Sequence, residues 1–476
     1  MRQNEPRFSD LLNDIQPKIN WKFAIQGETL SAYRQVDNRY FEPLSRPLAK
    51  MEVREHLPGV TPSQISAIID ALLEDKERLF DDAIFIKDKR RIIGFENKVF
   101  DINSGSVRPY QHNDYVLSPL PYNIPEMLNP EIETWFLGIL RSWVGEDAGD
   151  WFANLLAYLL FIYPNGEDLW ANFFGGGANG KSVCLEILES ILGDEKVIGC
   201  DLKNINRFSG DTFRDKWLVV GRDSSNVVSE HATSFIKTYT GDPKLLVEKK
   251  GGASFDVRNP GKLIVSTNSL IESKDRSYGW YRRLVPVPFF SRFKRNTKFK
   301  DALIRRVPDI ARVLLHRAHL IRHNDVSMME SAPQSVKQLR NETRMLNDRI
   351  AAFWHLYFHQ EHCWEHEDDE GRIVEHASSE LDWARLAETD QVTVSEMYER
   401  YSNWHYQEFG ETALAPSLKA FGGPYGAFLQ SEAGEYFEYH RGASGRVLRI
   451  KEKWYGDLKS VAEKQAARYN TQDRIF

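Results

Sequence analysis

The sequence predicts an α/β protein organised around a central parallel sheet, and three features of residues 170–290 carry that expectation. Three short, largely apolar runs occur there: WANFF (170–174), WLVV (217–220) and KLIVST (262–267). Strands buried on both faces of a parallel sheet read this way. After the first run, Lys181 to Leu192 places Val183, Leu185, Ile187, Leu188 and Ile191 on a helical pattern. A glycine-rich turn joins that strand to that helix, and strands alternating with helices make an α/β core the expected architecture.

The flanking elements follow in order. The first eighty residues read as polar and helical, with TPSQISAIIDALLEDKERL (61–79) placing a Thr or Ser cap before an amphipathic run. From Ala83 the pattern changes to short strands, and Asn103-Ser-Gly105 predicts a hairpin across Asp101 to Val107. Helices rich in Trp, Phe and Leu are expected from Glu131 to Ile162, and helices again over 300–360. Residues 365–380 are acidic and read as a linker or exposed loop. The last hundred residues predict helices at Val394 to Phe409 and Pro416 to Gln430, then a hairpin turning at Gly442-Ala-Ser-Gly445. The expected divisions are a helical N-terminal region (1–84), an α+β and helical segment (85–165), the α/β core (166–295), a helical extension (296–364), a linker (365–390) and a small C-terminal domain (391–476).

Composition bounds the function. The chain has 476 residues, 42% apolar and 27% charged, as an ordinary globular protein does. Cys184, Cys200 and Cys363 are too scattered for a disulfide framework, the N-terminus is polar, and no apolar run approaches the roughly 18 residues of a membrane span. A cytoplasmic protein is expected. The net charge of −6 excludes a strongly basic coat for duplex DNA, yet allows nucleic acid held in a channel by a few inward lysines.

The strongest motif is G-x-x-x-x-G-K-[ST], satisfied by Gly175, Gly176, Gly177, Ala178, Asn179, Gly180, Lys181 and Ser182. Glycines let backbone N–H groups wrap phosphates, Lys181 supplies charge to the β and γ phosphates, and Ser182 holds Mg²⁺. ATP and Mg²⁺ are therefore the expected ligands. Asp223 ends the run Trp217-Leu-Val-Val-Gly-Arg-Asp, where a metal-binding or water-orienting carboxylate belongs. Arg222 beside it would compete with a metal, and Glu230 is the fallback acid. Asn268 follows the third strand and can sense a γ-phosphate, although strand-end Asn is also an ordinary turn former. Arg282 and Arg283 precede a further apolar strand; either could reach a neighbouring subunit's ATP, where a transition-state arginine is worth about 10³ to 10⁵ in rate.

This compact series resembles the superfamily 3 helicases of viruses, phages and plasmids, which are hexameric AAA+ motors. Phe235 to Pro243 followed by Glu248-Lys-Lys-Gly-Gly-Ala-Ser-Phe-Asp256 looks like that family's extra motif, a hairpin carrying basic residues into the central channel. By that resemblance Lys249 and Lys250 are the DNA-tracking residues; without it they read as an exposed turn. The stretch Asn97 to Pro109, the helices leading to the phosphate loop, and a C-terminal unit similar to a winged helix narrow the resemblance to poxvirus-type and satellite-phage-type primase-helicases. The resemblance begins near residue 85 and no paired-carboxylate polymerase centre is evident, so primer synthesis is not expected.

The resemblance implies a ring, six subunits by analogy, that moves on single-stranded DNA, opens forked DNA, and takes ATP at each subunit interface. The alternative is an ATP-gated initiator that binds origin DNA through its winged helix, with Arg441, Arg446, Arg449 and Lys451 on the wing. A nucleotide-binding protein of defence or packaging leaves the Lys-Lys hairpin unexplained. His355, His359, Cys363 and His366 recur three or four apart on an expected helix and offer zinc-ligand chemistry, but neighbouring Trp354, Tyr357 and Phe358 suit an ordinary packed face better.

Overall fold

The computed structural model of the chain describes residues 7–26, 29–80, 91–111, 114–163, 167–205, 212–213, 216–241, 244–248, 254–258, 261–358, 363–367, 373–377, 391–409, 417–418, 421, 437–442 and 445–450. The chain divides into two compact units. One comprises Met1–Ser273 with Arg283–Arg340, the other Lys274–Arg282 with Asn341–Phe476.

The first unit opens with helix α1 (Phe8–Ile15), strands β1 (Trp21–Gln26), β2 (Thr29–Val36) and β3 (Tyr40–Pro43), helices α2 (Arg46–His56) and α3 (Pro62–Leu73), and strand β4 (Leu79–Phe80). The expectation of a wholly helical N-terminal region is corrected here. The strands form a sheet in the order β3-β2-β1-β4, with β1 and β4 parallel. Trp21 and Phe23, two apart on one face of β1, are buried in a core with Ile65, Ile68 and Leu72 of α3, so burial rather than polarity decides the conformation of residues 21–43. At α3 the predicted cap is present: Thr61 Oγ1 accepts from Gln64 N at 3.4 Å, while Thr61 N donates to Gln64 Oε1 at 2.8 Å.

Strands β5 (Ile92–Gly94), β6 (Val99–Asp101) and β7 (Ser106–Arg108) form an antiparallel meander, whose second turn is the predicted hairpin. Two helices follow, α4 (Pro130–Val144) and α5 (Gly149–Phe161). Asn129 caps the first through its side chain, and Gly145 at φ +100° separates them.

The α/β core then runs β8 (Trp170–Phe174), α6 (Lys181–Leu192), β9 (Val197–Cys200), β10 (Leu218–Gly221), β11 (Val227–Val228), α7 (Glu230–Gly241), β12 (Lys244–Glu248), β13 (Ser254–Arg258), β14 (Lys262–Thr267), β15 (Glu272–Ser273) and β16 (Leu284–Pro288). Five of these strands make one sheet in the order β16-β8-β14-β10-β9, and every pairing in it is parallel. All residues of β10, β14 and β16 are buried, as the apolar runs require. Pro286 and Pro288 are tolerated because β16 is an edge strand, where a missing N–H costs no ladder bond on its outer side. Helices α8 (Thr297–Arg305) and α9 (Val307–His323) follow. One apolar core joins the meander, α4, α5, α6, the sheet and α9.

In the second unit, strands at Gln391–Thr393, Phe437–Gly442 and Gly445–Ile450 form a sheet with the last of them central, and a helix spans Val394–Phe409. The predicted helix at 394–409 and the terminal hairpin are both present; most of 416–430, and Lys451, lie outside the described residues. Two expectations are corrected. Cys363–Glu367 is a strand paired antiparallel with Ile373–Ala377, so this part of the acidic segment is a hairpin. The same pairing removes Cys363 and His366 from any helical face shared with His355, because the helix of that region ends at Phe358. His359 lies outside the described residues.

The packing of α5 on the sheet turns on one ring. Phe152 is fully buried and meets Phe173 edge-on at 5.5 Å and Phe289 at 5.8 Å. Phe152→Ala is expected to destabilise the first unit by about 3–5 kcal/mol, measured as a shift in chemical denaturation, with Phe152→Leu losing less.

Candidate nucleotide site

Because the sheet is parallel, all five strands end on one edge, and the crevice at that edge is where α/β proteins bind ligands. The predicted loop leaves β8 there and enters α6. Gly175 stands at φ +147°, and a Cβ on it would meet Phe289 O at 2.5 Å; Gly180 stands at φ +98°, and a Cβ on it would meet Trp143 Nε1 at 2.8 Å. Both positions require glycine for handedness and for space. By contrast nothing lies within 4 Å of a Cβ built on Gly176 or Gly177. The loop thus presents an open, backbone-lined cradle to solvent.

The residues after the cradle suit an anion. The first backbone bond of α6 runs from Cys184 N to Gly180 O at 2.8 Å. The N–H groups of Lys181, Ser182 and Val183 therefore have no acceptor within the helix, and the helix dipole adds partial positive charge. Ser182 is exposed, while Lys181 is only 4% exposed. The Lys181 ammonium donates to Gly175 O and, at 3.3 Å, to Asn179 Oδ1. Burial pushes its pKa below the ordinary lysine value, and the Asp223 carboxylate opposes that shift. Asn179 in turn donates through Nδ2 to Phe289 O at 3.2 Å, tying the loop to the end of β16.

Asp223 lies two residues beyond β10, is exposed, and adopts φ +43°, a left-handed conformation that costs energy for a non-glycine residue. Ser224 N bonds Ser266 O at 2.9 Å, so this turn is pinned to β14. Arg222, the neighbour expected to compete with a metal, turns away: its Nη2 pairs with Glu189 Oε2 on α6 at 2.5 Å. Glu230, the fallback acid, is the exposed first residue of α7.

Asn268 follows β14 directly and is exposed. Gly175 N donates to Thr267 O at 3.3 Å, which sets Asn268 beside the start of the phosphate loop. Two residues outside the motif reading support that turn. Asn172, buried in β8, donates to Thr267 Oγ1 at 2.9 Å, and Thr267 Oγ1 donates to Ser269 O at 2.7 Å. An asparagine inside the otherwise apolar WANFF was the available signal for this link.

Arg283 is not brought to the loop. It precedes β16, and β16 pairs in parallel with β8 from Leu284↔Trp170 to Pro288↔Phe174. Its side chain thus begins one full strand, about 16 Å, from the loop of its own chain. There it pairs with Asp168 at 3.3 Å and packs on Gly241. Arg282 belongs to the second unit. Strands β12 and β13 pair antiparallel from Lys244↔Arg258 to Glu248↔Ser254, forming the expected hairpin; Lys249 and Lys250 lie outside the described residues. Among the described residues no group of three or more His, Cys, Asp or Glu side chains converges as a metal site, and no helix is long and apolar enough to cross a membrane.

Comparison with known proteins gives distant likenesses. A family model described as "Family of unknown function (DUF5906)" matches residues 173–283, which run from the phosphate-loop strand to Arg283. A protein of Acanthamoeba polyphaga mimivirus named "Putative helicase L207/L206" is 26% identical over 216 residues; the match covers 44% of this chain and 22% of that protein. The chain therefore spans well under two thirds of that relative's length. Two solved structures of the NrS-1 C-terminal region are also similar. The A form apo structure is 16% identical with a TM-score of 0.48, covering 94% of this chain and 99% of that one. The apo structure of residues 305–718 is 14% identical with a TM-score of 0.46 and the same coverages.

Proposed function

We propose that the chain is an ATP-driven DNA helicase of the superfamily 3 AAA+ kind, active as a ring. The observation that carries this reading is the shared edge of the parallel sheet. There the open cradle and the buried Lys181 follow β8, Asp223 lies two residues beyond β10, and Asn268 follows β14, so the three lie on neighbouring strands of one sheet edge. The partial match to a viral protein named as a helicase supports the same direction.

In this scheme Gly175 to Gly180 wrap the phosphates of ATP with backbone N–H groups, and Lys181 neutralises the β and γ phosphates. Ser182 and Asp223 would hold Mg²⁺, which would supply positive charge against the phosphates. Asn268 donates to the γ-phosphate. Arg283, fixed at the far end of the sheet, serves the site of the adjacent subunit, and each ATP lies between two chains. Lys249 and Lys250, which lie in sequence between β12 and β13, track one strand of DNA by phosphate contacts that are independent of sequence and weaken with salt.

An initiator that binds an origin is the second reading. It draws on the terminal sheet beside the helix at 394–409, with Arg441 opposite Arg446 and Arg449 opposite Glu438 in register. Unwinding of forks lacking any origin sequence supports the motor; tight binding to one repeat without unwinding supports the initiator.

Lys181→Ala and Asp223→Asn should each lower DNA-stimulated ATP hydrolysis by at least a hundredfold; retained activity in Lys181→Ala overturns the scheme. Arg283→Ala should be inactive alone but recover activity when mixed with Lys181→Ala subunits, and no recovery argues against a shared site. Arg283→Ala must keep its fold for this test, which thermal unfolding checks. Because burial lowers the Lys181 pKa in the free protein, its charge is lost at a lower pH than for an ordinary lysine. ATP affinity should therefore begin to fall with rising pH below the usual lysine range. Calorimetric titration across that range, with Lys181→Arg as the non-titrating control, reads the effect.

A further inference from the structure

After β16 the backbone runs along the phosphate loop and is tied to it and to α4 at successive points. Phe289 N donates to Phe174 O at 2.9 Å, Phe290 N to Trp143 O at 3.3 Å, and Phe293 N to Ala178 O at 2.7 Å; Ser291 Oγ reaches Ser142 O at 2.6 Å. This tethered stretch nevertheless leaves Phe290 71% exposed and Phe293 40% exposed. Two aromatic rings are thus exposed beside the cradle on a backbone tied to it and to α4.

Sheet order says what lies on each side of the loop. Strand β8 sits between β14 and β16. The Asp223 charge felt by Lys181, and Asn268, belong to the β14 and β10 flank, so the reacting end of a bound triphosphate faces that way. The remainder of the nucleotide then leaves the cradle over the opposite flank, toward the segment after β16. An exposed aromatic face there offers stacking, which every nucleobase can use.

We propose that Phe290 and Phe293 form the nucleobase side of the site, stacking on the base of a nucleoside triphosphate whose phosphates lie in the Gly175–Ser182 loop. This assignment rests on the nucleotide-binding reading of that loop. The competing occupant is single-stranded nucleic acid, since Arg292, Lys294, Arg295 and Lys298 on the same stretch are exposed and make no ion pair among the described residues. The direct bond from Phe293 to the phosphate loop, and the flank opposite Asp223, favour the nucleotide.

Calorimetric titration of the full chain with Mg·ATP and with magnesium tripolyphosphate separates base from phosphate. In Phe290→Ala/Phe293→Ala, ATP affinity should fall about tenfold or more while tripolyphosphate affinity stays unchanged. Phe290→Trp should keep ATP affinity where Phe290→Ala loses it, and thermal unfolding of each should match the parent. An equal loss for both ligands, or unchanged ATP affinity, overturns the assignment. Unchanged ATP affinity with weaker binding of oligo(dT) overturns it in favour of a nucleic-acid contact. Lys181→Ala should weaken both phosphate ligands; if it weakens neither, the nucleotide reading of the loop fails, and the base assignment falls with it for that separate reason.

Discussion

Taking a lysine ammonium out of water costs several kcal/mol unless acceptors or counter-charges replace its hydration. Lys181 is almost wholly buried, and its hydrogen-bond acceptors among the described residues are two neutral groups of its own loop, Gly175 O and Asn179 Oδ1. The nearby carboxylate, Asp223, acts on it through space. Much of the surrounding architecture can be understood as holding this incompletely compensated charge in place. The helix dipole of α6 is unfavourable for a cation at its N-terminus. The lysine and the first N–H groups of α6 thus present positive charge to the same loop.

Holding such a site demands a rigid frame, and the frame is aromatic. Phe152, Phe173, Phe289 and Trp143 form a chain of ring contacts that joins α5, β8, the end of β16 and α4. Trp143 also closes against Gly180, and Phe289 O against Gly175. The two glycines of the loop are thereby fixed from outside by the same packing that joins the helices to the sheet. Ala178 and Asp223, both at positive φ, are held by other ties: Phe293 N donates to Ala178 O, and Ser224 N beside Asp223 donates to Ser266 O.

The parallel sheet also separates two kinds of residue. Groups that must meet one phosphate chain sit at the ends of strands, and Asp223 and Asn268 are there. Arg283 sits at the beginning of β16, where its pairing with Asp168 and its packing on Gly241 hold it in its own chain. A residue at that edge lies a strand's length from the phosphate-loop end of its own sheet. The geometry of one chain therefore places Asp223 and Asn268 at one edge of the sheet and Arg283 at the other.

Local sequence by itself determined the elements of the core. The apolar runs at 170–174, 217–220 and 262–267, the glycine-rich loop, the helix at 181–192 and the Thr61 cap all depend on neighbours a few residues apart, and all are present. It also marked the candidate site residues, because phosphate-binding chemistry imposes a fixed spacing on Gly175 to Ser182. Only the tertiary structure decided what depends on distant partners. Residues 21–43 became strands because Trp21 and Phe23 are buried against α3, and 363–377 became a hairpin through pairing across a turn. Arg222 was turned toward Glu189, Asn172 was linked to the Asn268 turn, and Arg283 was set a strand's length from its own loop. Each is a contact between elements, and the order β16-β8-β14-β10-β9 that creates them leaves no trace in local spacing.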